Sequence, residues 1–214
     1  MVSNNAARDL ENLSWLKKNS IKTIYNPILI QKHKPISREF DSKRIITVGS
    51  LKWAKNHELL ISAFKIVNEQ LPDTTLVIVG EGKRRPELES LVARLGINHA
   101  VKFMGLQTGS ALDDLYLSSS IFALSSHYEG FSMVIAEALS FSLPVVSVDC
   151  NYGPREIINK NDLGILVPPN DEDALANGII EGLNRSFDVA KLRERATFFS
   201  VDKIGQQYLE LFNK

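Results

Sequence analysis

The 214-residue chain is 44% hydrophobic and 23% charged, with 25 basic and 25 acidic side chains and a formal net charge of zero. That mixture belongs to a soluble globular protein; it excludes a disordered or fibrous chain and leaves no global field to gather nucleic acid or an anionic membrane. One cysteine, Cys150, excludes an internal disulfide and a cysteine-based zinc site, and it fits a reducing compartment.

From the N-terminus, residues 6–18 are helix-prone, KTIYN reads as a brief strand, and the charged stretch 31–42 reads as a connector rather than a core element. The polar start of the chain lacks the basic n-region and apolar core of a secretory signal. The longest apolar runs, such as LVIVG from Leu76 and LPVVSV from Leu143, fall far short of the roughly 20 residues that span a bilayer. A cytoplasmic protein without a transmembrane segment is expected.

Short apolar runs then alternate with helix-period segments, the signature of a parallel sheet covered by helices on both faces. Strand Arg44 to Val48 leads through a loop, Gly49 to Lys55, into a helix from Asn56 to Gln70. Leu59, Leu60, Ala63, Phe64 and Val67 recur there at steps of three and four, and Asn56 is placed to cap its start. Pro72 and Asp73 break that helix before strand Thr75 to Val79, and GEGKRR opens a second helix closed by Gly96. Strand Ala100 to Phe103, a helix near Ser110 to Leu117 and strand Ile121 to Leu124 follow. Ser132 is expected to cap the helix Met133 to Phe141, and strand Pro144 to Val148 precedes a short helix, Arg155 to Asn159, with Pro154 in its first turn. Strand Gly164 to Val167 and helices Asp171 to Leu183, Val189 to Phe198 and Val201 to Phe212 complete the chain.

In open parallel sheets ligands bind beyond the carboxyl ends of the strands, which points to GSLKWAK, GEGKRR, MGLQTG, SSHYEGFS and DCNYGP. Lys55 precedes a helix start, where free amides and the positive dipole end favour an anion such as a diphosphate; by spacing alone it serves equally as a solvated lysine. Glu137 interrupts the otherwise apolar MVIAEALSF, so its carboxylate needs a partner: the paired hydroxyls of a ribose, or an internal arginine or lysine. Glu129 stands beside Gly130, which permits close backbone approach, and on its own is also a solvated loop acid. Four histidines, at positions 33, 57, 99 and 127, lack metal-ligand spacing, and neither GxGxxG nor a P-loop occurs, so no metal, nicotinamide or ATP site is expected. The KRR of residues 83–85 reads as a solvated helix start.

The stretch HYEGFSMVIAEALSFSLPVVSVDCNYGPREII resembles the group 1 family of retaining glycosyltransferases, with its two glutamates, Glu129 and Glu137, separated by seven residues. IYNPI, GSLKWAKNHELLISAF, GEGKRRPELE, KFMG and GILVPPNDEDALANGI extend the resemblance over nearly the whole chain. It implies the GT-B architecture of two Rossmann-like domains, of which this chain matches the donor-binding second. Residues 1–40 would be the tail of the first domain and the linker, 41–200 the donor domain, and 201–214 the helix that crosses back.

The resemblance also implies site roles. Glu137 would hold the ribose, Glu129 would contact the donor sugar, and Lys55, beside Gly49 and Ser50, would neutralise the diphosphate. Backbone of Gly130, Phe131, Ser132, Met133 and Val134 would meet phosphate and sugar. Gly80, Glu81, Gly82, Phe103 and Met104 would receive the base. The donor is a nucleotide-sugar, UDP-linked, with no cofactor or metal; the acceptor is a glycan or lipid-linked molecule held by the first domain, in bacterial surface polysaccharide synthesis at the inner face of the cytoplasmic membrane. Two departures stand out: Ser50 replaces the usual arginine, leaving Lys52 as a substitute cation, and Ser142 replaces a C-cap glycine. A non-catalytic nucleotide-sugar or partner-binding module and a sugar-nucleotide epimerase are the competing readings.

Overall fold

The computed structural model describes residues 1–13, 15–30 and 43–213. Helix α1 (Asn4–Leu13) is followed by β1 (Arg44–Val48), a 3-10 turn (Trp53–Lys55), α2 (His57–Gln70), β2 (Thr75–Val79), α3 (Arg85–Arg94), β3 (Val101–Gly105) and α4 (Gly109–Leu117). Then come β4 (Ile121–Leu124), α5 (Met133–Ser140), β5 (Val145–Val148), α6 (Pro154–Ile157), β6 (Gly164–Val167), α7 (Glu172–Asn184), α8 (Val189–Thr197) and α9 (Val201–Phe212). The strands form one parallel sheet in the order β3-β2-β1-β4-β5-β6, a doubly wound, Rossmann-like α/β fold. The order reverses between β1 and β4, and the loops after these strands diverge there.

Successive strand residues feed opposite faces, both of them covered, which is why apolar residues occupy consecutive positions in the strands. Ile45, Leu76, Ile78, Ile121, Ala123, Val146 and Val148 pack against α2, α3 and α7. Ile46, Val77, Val79, Phe122, Leu124 and Val145 pack against α4, α5 and α8.

Several expectations need correction. KTIYN is not a strand; the nearby pairing is an isolated bridge between Ile28 and Ser200. The N-terminal segment is also more than a connector, because Ile24 is buried and Ile28 enters the second core, with its N–H donating to the Phe199 carbonyl at 2.8 Å. The stretch 31–42 and the boundary at residue 40 lie outside the described residues. Neither Asn56 nor Ser132 caps a helix with its side chain: both hold left-handed backbone, at φ +46° and +65°. Strand β3 runs on to Gly105 because its pairing with β2 shifts register after Ile78, making room for Met104. Ser142 has φ +58°, the left-handed conformation for which glycine is the usual choice.

Candidate active site

The loops beyond β1 and β2 lie against each other backbone to backbone. Gly49 N–H donates to the Val79 carbonyl and Leu51 N–H to the Glu81 carbonyl, each at 2.9 Å. A Cβ on Gly80 would sit 2.0 Å from the Gly49 oxygen and one on Gly82 2.3 Å from the Leu51 oxygen, so only glycine permits this approach. The next loop joins through Gly80 N–H and the Gly105 carbonyl at 2.8 Å. On its rim Arg85 donates to Glu81 at 2.7 Å and to Glu89 at 2.8 Å, and its guanidinium stands 5.9 Å from the Phe103 ring centroid. Arg84 pairs with Glu58 and Glu87. These arginines are paired rather than simply solvated, as a reading of KRR as a bare helix start had it. Glu81, Phe103 and Met104 therefore border one loop cluster, with Arg85 as a member that composition did not reveal.

Across the switch point, Lys55 and Glu129 meet although 74 residues separate them: Lys55 Nζ donates to Glu129 Oε1 at 2.6 Å, and Ser126 Oγ donates to the same oxygen at 2.6 Å. Glu129 is nearly buried and Lys55 partly so. Backbone ties fix the pair, His127 N–H to the Ala54 carbonyl at 2.9 Å and Ser125 Oγ to the Lys55 carbonyl at 3.0 Å. The thiol of Cys150 lies close by, pushed up to about 12 by burial and then by the Glu129 charge, so it is no nucleophile at neutral pH. Ser50 is partly covered while Lys52 is exposed.

Helix α5 begins directly after this loop. Its first amides have no intrahelical acceptor, and the left-handed Ser132 leaves them without a side-chain cap. The Ser132 hydroxyl is turned inward, buried and without a hydrogen-bond partner among the described residues. Behind it Gly153, at φ +88°, brings the NYGP backbone so close that a Cβ there would lie 2.6 Å from the Phe131 carbonyl carbon. The Phe131 ring packs on Tyr25 and Phe199, at 5.1 and 5.2 Å between centroids. Gly130 has open space where a side chain would project.

Along α5, Met133, Val134 and Glu137 share the incompletely buried face, while Ile135, Ala136, Ala138 and Leu139 are in the core. Among the described residues the Glu137 carboxylate pairs with no cation; it accepts a hydrogen bond from the Tyr116 hydroxyl at 3.4 Å. Burial raises its pKa above the ordinary carboxylate value, and the Tyr116 hydrogen bond offsets this only in part.

A residue that single-sequence reasoning did not single out is Glu156. Its carboxylate accepts from Ser3 Oγ at 2.5 Å, from the amides of Asn4 and Asn5 at 2.8 and 3.1 Å, and from the Tyr25 hydroxyl at 3.1 Å. It thus caps α1 from the other end of the chain. A cleft of about 360 Å³ lies between α1 and the loop after β5, with Arg8 and Arg155 among its lining. Among the described residues no group of three His, Cys, Asp or Glu side chains is placed to hold a metal ion, and no helix is long and apolar enough to cross a membrane.

The strand order and the Lys55–Glu129 pair at the switch point define a Rossmann-like α/β domain with a charged site beyond its strand tips. The family model described as glycosyl transferases group 1 matches residues 30–197, and the chain belongs to that family. An N-acetylgalactosamine-N,N'-diacetylbacillosaminyl-diphospho-undecaprenol 4-alpha-N-acetylgalactosaminyltransferase of Campylobacter jejuni is 33% identical over 177 residues, 78% of this chain and 46% of that protein. A mutant of S. aureus TarM, solved with fondaparinux, alpha-GlcNAc-glycerol and UDP, superposes with a TM-score of 0.89 at 22% identity, over 100% of this chain and 43% of that one. Anabaena Alr3699/HepE, solved with UDP and glucose, has a TM-score of 0.83 at 25% identity, over 99% and 62%. The chain spans about half the length of the curated relatives it matches.

Proposed function

We propose that this chain is the donor-binding half of a retaining glycosyltransferase that takes a UDP-sugar and serves a glycan or lipid-linked acceptor in polysaccharide synthesis at the inner face of the cytoplasmic membrane. The observation that carries this reading is Glu137: a carboxylate on the open face of α5, hydrogen-bonded to Tyr116 and paired with no cation among the described residues. Its lone pairs suit the two hydroxyls of a ribose. The UDP complexes of the structural neighbours support the same choice.

On this reading the diphosphate settles between the α5 N-terminus and Lys55. As the bond from the anomeric carbon to the phosphate oxygen breaks and the bond to the acceptor hydroxyl oxygen forms, the nucleoside diphosphate leaves with the electron pair and its freed phosphate oxygen takes the proton of that hydroxyl. Lys55 and the α5 amides stabilise that developing charge, so the step needs no metal. Glu129, already hydrogen-bonded by Ser126, exchanges part of its contact with Lys55 for a donor-sugar hydroxyl. Residues 1–40 act as tail and linker of an acceptor-binding domain and α9 as the helix that returns to it; without that domain the chain binds donor but does not turn over.

Calorimetry on the chain tests this directly. UDP binding at micromolar to millimolar concentration, lost tenfold or more in Glu137→Ala, is expected; no binding at millimolar UDP or UDP-sugar, or an unchanged affinity in Glu137→Ala, overturns it.

A further inference from the structure

Beside the Lys55–Glu129 pair, three aromatic rings form a surface that the donor roles leave unused. Trp53, 58% exposed, stacks on His127 with centroids 4.3 Å apart and planes at 29°. Tyr128, 56% exposed, lies 6.1 Å from Trp53 and tilts by 50°, so the two rings make a shallow corner. Large aromatic rings dominate core and interface burial, and an exposed apolar patch rimmed by polar groups marks a binding surface.

We propose that Trp53, His127 and Tyr128 form a stacking platform for a pyranose ring at the mouth of the donor site. The inference rests on the donor-site reading for its location, and three physical points support it. The platform is built into the reacting loops: Trp53 begins the 3-10 turn that ends in Lys55, His127 lies two residues before Glu129, and the His127 N–H to Ala54 carbonyl bond at 2.9 Å joins the two loops. A ring resting here is held in fixed register with the ion pair. Second, a pyranose carries polarised C–H groups on one face, and these are attracted to the electron-rich face of an indole. Third, its hydroxyls point outward in the ring plane, where the Tyr128 hydroxyl and the neighbouring Lys55–Glu129 pair supply donors and acceptors, while His127 backs the indole from its other face. The ring belongs either to the sugar of the donor or to the terminal residue of the acceptor; the chemistry is shared, and titration separates the sources.

The test follows the two indole N–H resonances of the ¹⁵N-labelled chain, with Trp15, 96% exposed and on a different segment, as internal control. UDP is added first, then UDP-glucose and UDP-N-acetylglucosamine in parallel samples, and finally methyl glucoside, galactoside and N-acetylglucosaminide over saturating UDP. UDP alone, held by Lys55 in the same turn, sets the reference position of Trp53 against which each sugar is read. A shift of Trp53 but not Trp15 with a UDP-sugar assigns the platform to the donor sugar; a shift only with a methyl glycoside assigns it to the acceptor. Trp53→Ala then lowers the affinity for that sugar-bearing ligand roughly five- to tenfold and leaves UDP affinity and thermal stability unchanged, while Trp53→Phe retains most of it. The proposal is overturned if neither a UDP-sugar nor a methyl glycoside shifts Trp53 beyond its UDP-saturated position while UDP binds. Sugar affinities unchanged in Trp53→Ala overturn it equally. Absence of UDP binding overturns the donor reading instead, and the methyl glycosides titrated without UDP still decide the platform.

Discussion

At the scale of single residues, two titratable groups are held away from their ordinary protonation by burial. His57, in the first turn of α2, is almost fully covered, and among the described residues neither ring nitrogen makes a hydrogen bond of normal geometry, the Ser50 backbone lying close by. Burial pushes its pKa down to about 4, only partly offset by the Ser50 backbone and the Glu58 carboxylate. The unfolded chain therefore binds a proton near pH 6.5 that the folded chain refuses, so stability is intact above that pH and falls as pH drops towards 4. The loss amounts to roughly 3 kcal/mol, and urea titrations at pH 7, 5.5 and 4 should show it in the wild type and largely lose it in His57→Leu. Glu137 shifts the other way, its pKa raised by burial. Under the proposed ribose contact the ionised carboxylate is the binding form, so UDP affinity should fall on acidification with a midpoint above the ordinary 4.5. Glu137→Gln should bind at least tenfold more weakly at pH 7 and show no such midpoint; a wild-type affinity flat from pH 7 to 4.5 would remove ribose from Glu137.

At the scale of elements, α1 is tied to the sheet domain by the Glu156 carboxylate, by the Tyr152 hydroxyl donating to Asp9 at 2.6 Å and by the buried Ala7. Burial alone would raise the pKa of Glu156, but the hydrogen bonds from Ser3, Asn5, Asn4 and Tyr25 outweigh it and lower the value. The stabilisation is thus present above the unfolded value near 4.5 and is lost as pH falls below it. Glu156→Ala leaves those donors without an acceptor, at a cost of about 2 kcal/mol, and amide exchange across residues 4–13 should accelerate at least tenfold while the α5 amides keep their protection. Uniform acceleration in both helices would mean that Glu156 supports the whole domain instead. Nothing in the sequence near residues 3–5 announces this contact, because its partner is more than 150 positions away. What is local is legible: apart from Arg44, Thr47 and Thr75, the runs RIITV, TLVIV and IFAL are apolar at consecutive positions because both faces of the sheet are covered, and each is part or all of a strand. Caps were less legible. Ser132 and Asn56 have the composition of side-chain caps, but a left-handed φ turns each side chain away from the amides it would serve. At Ser132 that φ accompanies the tight packing of Gly153, which only the tertiary structure reveals.

On the scale of the whole molecule, large exposed apolar side chains fall at the strand tips, with Trp53, Met104, Leu106, Tyr128 and Met133, and at the two chain ends: Leu10, Leu13, Trp15 and Leu16 in one segment, Val201, Tyr208, Leu209, Leu211 and Phe212 in the other. The sheet domain closes its own two cores, whereas α9 contributes a single fully buried side chain, Ile204. Its other ties are the Ser200 cap, which accepts from Lys203 N–H at 3.4 Å, and the Ile28–Ser200 bridge just before it. An amphipathic helix anchored so sparsely gains little from the apolar residues it leaves in water, and under the proposed two-domain arrangement those residues meet the acceptor-binding domain instead. The two sides of α9 should therefore respond in opposite ways. Leu209→Ser with Phe212→Ser, at positions 63% and 79% exposed, should leave the unfolding free energy of this chain within about 0.5 kcal/mol. Ile204→Ala, which empties a buried site, should cost roughly 2–4 kcal/mol or release α9 alone, distinguishable by whether α9 amides lose protection before the sheet does. If the double serine variant proves as destabilised as Ile204→Ala, the outer face of α9 packs within this chain in solution and is not held open for a second domain.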